Sequence, residues 1–148
     1  MIKSIHHTGI SVSNMENSLK FYRDLIGMKV VHDVMVSGKE IGEVNNLPND
    51  TKVRIVILEF NGSQIELLEF LSPRGAPLAP KIKLCDNLIT HIAFEVDDIN
   101  EVYNQWVAKG ISFNSSPRAM RGGKGNTCAF LHDPDGVALE ILQRPGVK

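Results

Sequence analysis

Two histidines and two glutamates recur at matched places in the chain. His7 opens one short pattern, His91 opens a second copy, and each half later carries an acid within an aliphatic, strand-like segment, Glu66 and Glu140. Imidazole and carboxylate bind divalent ions such as Zn, Ni, Co, Mn and Fe, and the lack of a thiolate set argues against a structural zinc site. The four residues are therefore candidate ligands of one divalent metal ion.

The pattern is an internal repeat with one shift in its alignment. Superposing the two copies gives these pairs: His7 with His91, Ile10 with Phe94, Val12 with Val96, Asn14 with Asp98, Leu19 with Tyr103 and Tyr22 with Trp106. A gap of one residue then aligns Gly27 with Gly110. Equivalent halves can bring equivalent residues together about a pseudo-twofold axis, which predicts a metal site shared by both halves.

The alternative interpretation is structural. Each histidine would then be a half-buried, hydrogen-bonded side chain, and each glutamate a charge on a strand edge. That interpretation is the better one for a single histidine. A His and a Glu at matched positions in both halves favour the metal site, because a coincidence would have to occur four times.

Each half is predicted to contain a strand, a helix and three more strands, an α+β fold. The first half has strands at 5–12, 28–36, 52–60 and 63–71, a helix that Ser13 or Asn14 caps and Gly27 ends, and a loop at 37–51. The second half has strands at 89–96, 111–114, 125–131 and 136–143 and a helix from the Asp98 cap to Lys109. These elements predict a single domain, 1–148, with modules 4–71 and 89–143. Three prolines within 72–80 favour an extended linker over 72–88.

Side-chain alternation along the strands tests the metal hypothesis. His7, His91 and Glu140 each fall on the face opposite their aliphatic neighbours. The two faces of the strand that carries Glu66 are less clearly distinguished, because the apolar residues Leu68 and Phe70 lie on the same face as Glu66. The aliphatic face is expected to carry the helix, which leaves the His and Glu side chains on the open face.

The remaining polar groups are assigned no ligand role. His6 is predicted to face away from the side of the strand on which His7 lies. The others are His32, in a strand position with no counterpart in the other half, His132, predicted at the surface, and Glu43 and Asp50, predicted to be solvated. The glycine-rich basic run at 118–125 is typical of either an anion-binding lid or a plain hairpin connection.

Composition excludes several classes of function. The 148 residues carry a net charge of −1, which gives no reason to expect a nucleic acid or an anionic membrane as partner. No apolar run has the length of a signal peptide or a membrane span. Cys85 and Cys128 lack metal-type spacing, which indicates a reducing compartment, and the expected location is the cytoplasm.

Five segments carry the patterns of a known family. They are His7-Thr-Gly-Ile-Ser-Val, Phe21-Tyr-Arg-Asp-Leu-Ile-Gly27, Ile65-Glu-Leu-Leu-Glu69, Thr90-His-Ile-Ala-Phe-Glu-Val-Asp-Asp98 and Asp133-Pro-Asp-Gly-Val-Ala-Leu-Glu140. Together they resemble the vicinal oxygen chelate superfamily, which includes glyoxalase I, methylmalonyl-CoA epimerase, extradiol dioxygenases and resistance proteins. The resemblance implies paired βαβββ modules that form a curved mixed sheet around a metal cleft. Its ligand positions fall on His7, Glu66, His91 and Glu140.

The resemblance also favours one branch of the superfamily. Its dioxygenases use a His-His-Glu triad, so the fourth acid, Glu66, favours the isomerase branch. The segment 65–73 resembles methylmalonyl-CoA epimerase, whereas the turn at 133–136 resembles glyoxalase I. The epimerase typically has an acid close to where this chain has Asn49-Asp50, which leaves the second catalytic acid open.

The implied reaction is a proton transfer next to a carbonyl through a metal-stabilised enediolate, with Glu140 and Glu66 as candidate bases. The expected substrate is an acyl-CoA thioester, as in the epimerase, or alternatively a hemithioacetal, as in lactoylglutathione lyase (glyoxalase I). A homodimer is expected, with modules that pair within one chain or between two. An extradiol-type dioxygenase and a non-catalytic ligand-binding resistance protein are the less favoured alternatives.

Overall fold

Residues 2–77 and 83–146 are described by a computed structural model of the chain. The chain divides into two compact units, Met1–Pro77 and Leu78–Lys148. Of the predicted linker at 72–88, residues 78–82 lie outside the described part.

The first unit contains one four-stranded mixed sheet. Its elements in chain order are β1 (Thr8–Ser11), α1 (Met15–Leu19) with a π-helical continuation (Lys20–Leu25), β2 (Lys29–Ser37), α2 (Lys39–Val44), β3 (Lys52–Phe60) and β4 (Ser63–Ser72). The strands lie in the order β1-β4-β3-β2, with β1 parallel to β4 and the other pairs antiparallel. Asn61 and Gly62 both have positive φ, which suits the tight hairpin turn predicted between β3 and β4.

The second unit has the same order of elements. They are β5 (His91–Glu95), α3 (Ile99–Ala108), β6 (Arg118–Ala119), a short 3-10 helix (Arg121–Gly123), β7 (Thr127–His132) and β8 (Ala138–Gln143). The strand order β5-β8-β7-β6 and the parallel first pair repeat the topology of the first unit. The predicted βαβββ order is therefore confirmed in each unit.

Two predicted elements were wrong. The strand expected at 111–114 is reduced to a single bridge between Phe113 and Leu131, and β6 at Arg118–Ala119 is the strand that pairs with β7. The segment 37–51, which was expected to be a loop, contains the short helix α2. This helix packs against the backbone at Pro48. A Cβ on Gly42 would lie 2.3 Å from the Pro48 carbonyl oxygen, so only glycine allows this approach.

The alternation predicted along the strands is observed. In β4, Ile65 and Leu67 are buried while Glu66 between them is partly exposed. In β8, Leu139 and Ile141 are fully buried on either side of Glu140. The acids therefore lie on the face opposite the buried aliphatic side chains in both units.

In each unit a side chain from the last strand, β4 or β8, accepts a hydrogen bond from the first residue of the helix, α1 or α3. The Glu69 carboxylate accepts a hydrogen bond from the Met15 backbone N–H at 3.3 Å. In the second unit the Gln143 side-chain oxygen accepts one from the Ile99 N–H at 3.1 Å. These acceptors lie three residues after Glu66 and Glu140, so the repeat extends to how each helix is docked. Asn14 caps α1 through the Asn17 N–H, which settles the choice between Ser13 and Asn14.

The gap of one residue in the repeat has a structural cause. The first helix becomes π-helical over Lys20–Leu25, whereas α3 is α-helical along its length. A π-helical turn holds one more residue than an α-helical turn. The extra residue lies before Gly27, and Gly27 and Gly110 both end their helices with positive φ, 91° and 87°.

Candidate metal centre

The first unit places two of the four predicted ligands side by side. His7 Nε2 lies 3.3 Å from Glu66 Oε2, and the two side chains are 35% and 18% exposed. Gly9 lies directly opposite Glu66 in the parallel pair β1/β4. Because Gly9 has no side chain, the space between the imidazole and the carboxylate is open on that side.

The second unit repeats this arrangement. His91 Nε2 lies 3.2 Å from Glu140 Oε2, with exposures of 35% and 16%. Ala93, two residues after His91, is the residue opposite Glu140. The residue opposite each Glu is thus a glycine or an alanine, the two smallest amino acids. Both carboxylates are mostly shielded from solvent.

The other ring nitrogen of each histidine is also engaged. His91 Nδ1 lies 2.9 Å from the Thr90 hydroxyl, and His7 Nδ1 lies 2.9 Å from His6 Nδ1. In metal-binding histidines the ring nitrogen that does not bind the metal commonly donates to a neighbour, and a partner that accepts from Nδ1 would leave Nε2 free as a ligand. The preceding residue therefore orients the ring in both units.

The prediction that His6 faces away from His7 was wrong. Strand β1 begins at Thr8, so neither histidine lies within the strand and alternation does not apply to them. The two rings instead meet edge to face, with their centroids 5.1 Å apart.

The donor atoms of each pair have the spacing that a metal ion needs. Two donors bound about 2.1 Å from one ion lie roughly 3.0 Å apart at a right angle and roughly 3.4 Å apart at a tetrahedral angle. The observed separations, 3.3 Å and 3.2 Å, fall between these values. The separation in each pair is compatible with two adjacent ligand positions and also with a direct contact between imidazole and carboxylate.

Each unit supplies one pair of candidate ligands. Over residues 2–77 and 83–146, no three His, Cys, Asp or Glu side chains are grouped closely enough to hold a metal. The structure thus brings His7 to Glu66 and His91 to Glu140, two donors in each unit, and a site with all four ligands is a prediction.

Two residues beside Glu140 were not identified from the sequence. Phe130 lies opposite Glu140 in the β7/β8 pair, and its ring meets the His91 ring edge to face at 5.2 Å. Cys128 lies two residues earlier on the same face. Burial raises the pKa of the Cys128 thiol, and its hydrogen bond to the Glu140 carboxylate raises it further. Alternation in 127–132 was the signal that could have placed both beside Glu140.

His132, Glu43 and Asp50 lie at the surface, as predicted. His132 is at the end of β7, Glu43 on α2 and Asp50 before β3, and His32 on β2 is exposed as well. The basic run at 118–125 forms the hairpin between β6 and β7, closed by a hydrogen bond from the Met120 N–H to the Asn126 carbonyl. No helix in the described part is both long and apolar enough to cross a membrane.

Comparison with known proteins identifies the family. The model of the glyoxalase/bleomycin resistance protein/dioxygenase superfamily matches residues 4–141. An ethylmalonyl-CoA/methylmalonyl-CoA epimerase from Cereibacter sphaeroides is 28% identical over 97% of this chain and 99% of that protein. A probable lactoylglutathione lyase from Vibrio cholerae is 27% identical over 94% of this chain and 89% of its own length. The crystal structure of a glyoxalase family protein from Bacillus cereus matches with a TM-score of 0.86 at 19% identity, over 99% of this chain and 97% of that one. The chain therefore belongs to the glyoxalase/bleomycin resistance protein/dioxygenase superfamily.

Proposed function

We propose that this protein is a divalent-metal-dependent isomerase or lyase that moves a proton at the carbon next to a carbonyl. The observation that carries the proposal is the pair of His–Glu contacts, 3.3 Å and 3.2 Å, at equivalent positions of the two units. The proposed ligands of the single ion are His7, Glu66, His91 and Glu140. The ion, one of Zn, Ni, Co, Mn or Fe, would act as a Lewis acid that lowers the energy of negative charge on a carbonyl oxygen.

Glu140 is the proposed base. Its carboxylate is 16% exposed, so few waters compete for the proton that it accepts. Its Oε2 lies 3.2 Å from His91 Nε2. The Cys128 thiol is hydrogen-bonded to this carboxylate, and Phe130 is the cross-strand neighbour of Glu140.

Glu66 is the proposed second acid–base group, which returns the proton. Its side chain is 18% exposed and shares its sheet face with Leu68 and Phe70, both partly exposed. Apolar neighbours of this kind hold a substrate while they keep water away from the reacting carbon. An epimerase needs proton transfer on both faces of that carbon, and two glutamates supply it.

Methylmalonyl-CoA or a similar acyl-CoA thioester is the first candidate substrate. The support is the segment 65–73, which resembles the epimerase, and the relative named as an ethylmalonyl-CoA/methylmalonyl-CoA epimerase. Lactoylglutathione lyase activity is the second candidate. It is favoured by the turn at 133–136, in which Asp133 Oδ1 accepts hydrogen bonds from the Asp135 and Val137 N–H groups, and by the relative named as a probable lactoylglutathione lyase.

Solvent-deuterium exchange tests the proposal. Protein loaded with Zn, Ni, Co or Mn is incubated in D₂O with methylmalonyl-CoA or with the hemithioacetal of methylglyoxal and a thiol. We expect deuterium next to the carbonyl in one of the two, and a loss of about 100-fold or more in Glu140→Gln. Glu101→Gln, an exposed carboxylate on α3, is the matched control and should exchange like the wild type. Oxygen consumption with a catechol and iron, without exchange, would overturn the proposal in favour of a dioxygenase.

A further inference from the structure

A cavity in the second unit lies beyond the His91–Glu140 pair. Its volume is about 90 Å³, and it opens where β5 and β8 begin. Thr90, which contacts the His91 ring, lines it, as does Ala138, which is paired with His91. The cavity therefore adjoins the proposed metal ligands through these two residues.

The cavity continues the sheet face that carries Glu140. Ala138 and His132 lie opposite each other in the β7/β8 pair, one same-face step beyond Glu140 and Phe130. Two residues along a strand span about 7 Å. A ligand with its reacting carbon at Glu140 would thus need an arm of about that length to reach the cavity.

The lining combines apolar walls with two groups that can donate hydrogen bonds to an anion. Leu84, Leu88 and Val137 supply apolar wall. Lys83 and His132 are exposed, and among the described residues no carboxylate pairs with either side chain. An ammonium group has three donors, and an imidazole ring has at least one in either protonation state.

A closed turn positions Lys83. The Lys83 N–H donates to Asp86 Oδ2 at 2.7 Å, and the Asp86 N–H donates to the Lys83 carbonyl at 2.9 Å. The Asp86 carboxylate is thus engaged by the backbone of Lys83. The Lys83 side chain lines the cavity.

We propose that this cavity binds a carboxylate carried on a short aliphatic arm of the substrate, with Lys83 and His132 as the residues that recognise it. The volume of about 90 Å³ and the apolar walls suit a carboxylate with a few methylene groups. This inference rests on the proposed function and, within it, favours a hemithioacetal whose thiol carries a carboxylate about 7 Å from the reacting carbon, because the carboxylate of methylmalonyl-CoA is attached to that carbon itself.

The test measures binding, so that its outcome is independent of catalysis. The full chain, freed of metal by dialysis, is titrated with butyrate, butyramide and inorganic phosphate while backbone amides are followed by NMR. We expect saturable shifts at Thr90, His132 and Ala138 with butyrate and none at these amides with butyramide. Lys83→Met and His132→Leu should each weaken butyrate binding by about tenfold or more, since each removes a hydrogen bond to a charged group.

Lys109→Met, at the exposed end of α3, is the matched control and should bind butyrate like the wild type. Equal shifts with butyramide would overturn the proposal, because the cavity would then select apolar shape alone. Stronger binding of phosphate than of butyrate would also overturn it. If the protein catalyses deuterium exchange but butyrate does not bind in the cavity, this inference is refuted and the proposed function is unaffected.

Discussion

Gly9 lies directly opposite Glu66 in the parallel β1/β4 pair, and Ala93 lies opposite Glu140 in the equivalent pair of the second unit. In each unit the glutamate lies on the neighbouring strand, opposite this small residue. The histidine lies two positions before the small residue in the chain. The same register in both units means that one geometric requirement, space above the carboxylate, has been met twice. A bound ion and its substrate would occupy that space.

A bulky side chain at Gly9 is therefore expected to block metal binding. A Cβ there would be 3.6 Å from Leu68 Cδ1 and 4.0 Å from Glu66 Oε2, both ordinary contacts, so Gly9→Ala should bind metal like the wild type. Gly9→Val places methyl groups further into the gap, and an overpacking cost of about 1–3 kcal/mol should weaken binding by about tenfold or more. Calorimetric titration with Zn measures both. Equal affinities in Gly9→Val and the wild type would show that the gap is not used.

The groups behind the two histidines should tune metal affinity. His6→Ala and Thr90→Val each remove the partner of an Nδ1 atom, and loss of such a partner typically costs 10–100-fold in affinity, roughly. The same titration applies, with circular dichroism to verify folding. His32→Ala, on the exposed strand β2, is the control and should bind normally. An unchanged affinity in both variants would mean that the ring tautomers are set in another way.

The side chains that dock the two helices should be interchangeable. Glu69→Ala and Gln143→Ala each leave a helix N-terminal N–H without its acceptor, which should lower the free energy of unfolding by about 1 kcal/mol. Glu69→Gln and Gln143→Glu keep an acceptor oxygen at the same place and should lose much less. Urea unfolding measures all four. If Glu69→Gln lost as much as Glu69→Ala, the hydrogen bond to Met15 would not be the source of the stability.

The carboxylate of Asp33 should contribute stability that acid removes. Arg54 donates to both of its oxygens, at 3.0 Å and 2.8 Å, and holds the pKa of Asp33 below its usual range. A lowered folded-state pKa means that the stabilisation is complete above the unfolded pKa of about 3.9 and is lost as pH falls through the folded pKa. Asp33→Asn should therefore cost up to about 1 kcal/mol at pH 7 and less below about pH 4.

Urea unfolding at several pH values measures this dependence. Asp24→Asn, which breaks the exposed pair with Arg23, is the control and should have no measurable effect at any pH. A loss in Asp33→Asn that is the same at pH 3 and pH 7 would show that packing, and not charge, is responsible.

The sequence predicted well where a single periodicity acts on a regular strand. The alternation around Glu66 and Glu140 depends only on neighbouring residues, because each acid has buried aliphatic side chains on both sides. The same rule failed at His6, which lies before β1 begins. Strand ends depend on long-range pairing, and the sequence near His6 holds no signal for where β1 starts.

Other features depended on contacts between distant segments. Gly42 indicated a loop, yet it is the residue that lets α2 pack against Pro48. The π-helical segment Lys20–Leu25 was visible only as a gap between the two copies of the repeat. The cavity beside His91 combines Lys83 with residues about fifty positions later, so local pattern could not define it.

The number of divalent ions bound by each chain is the decisive measurement for the proposed four-ligand site. Purified protein is loaded with Zn, Ni or Co, freed of excess metal and analysed by elemental mass spectrometry, beside the variants His7→Ala, Glu66→Ala, His91→Ala and Glu140→Ala. We expect one ion per chain in the wild type and less metal retained in every variant. A folded wild-type protein that retains no ion, or four variants that each retain as much metal as the wild type, would contradict it.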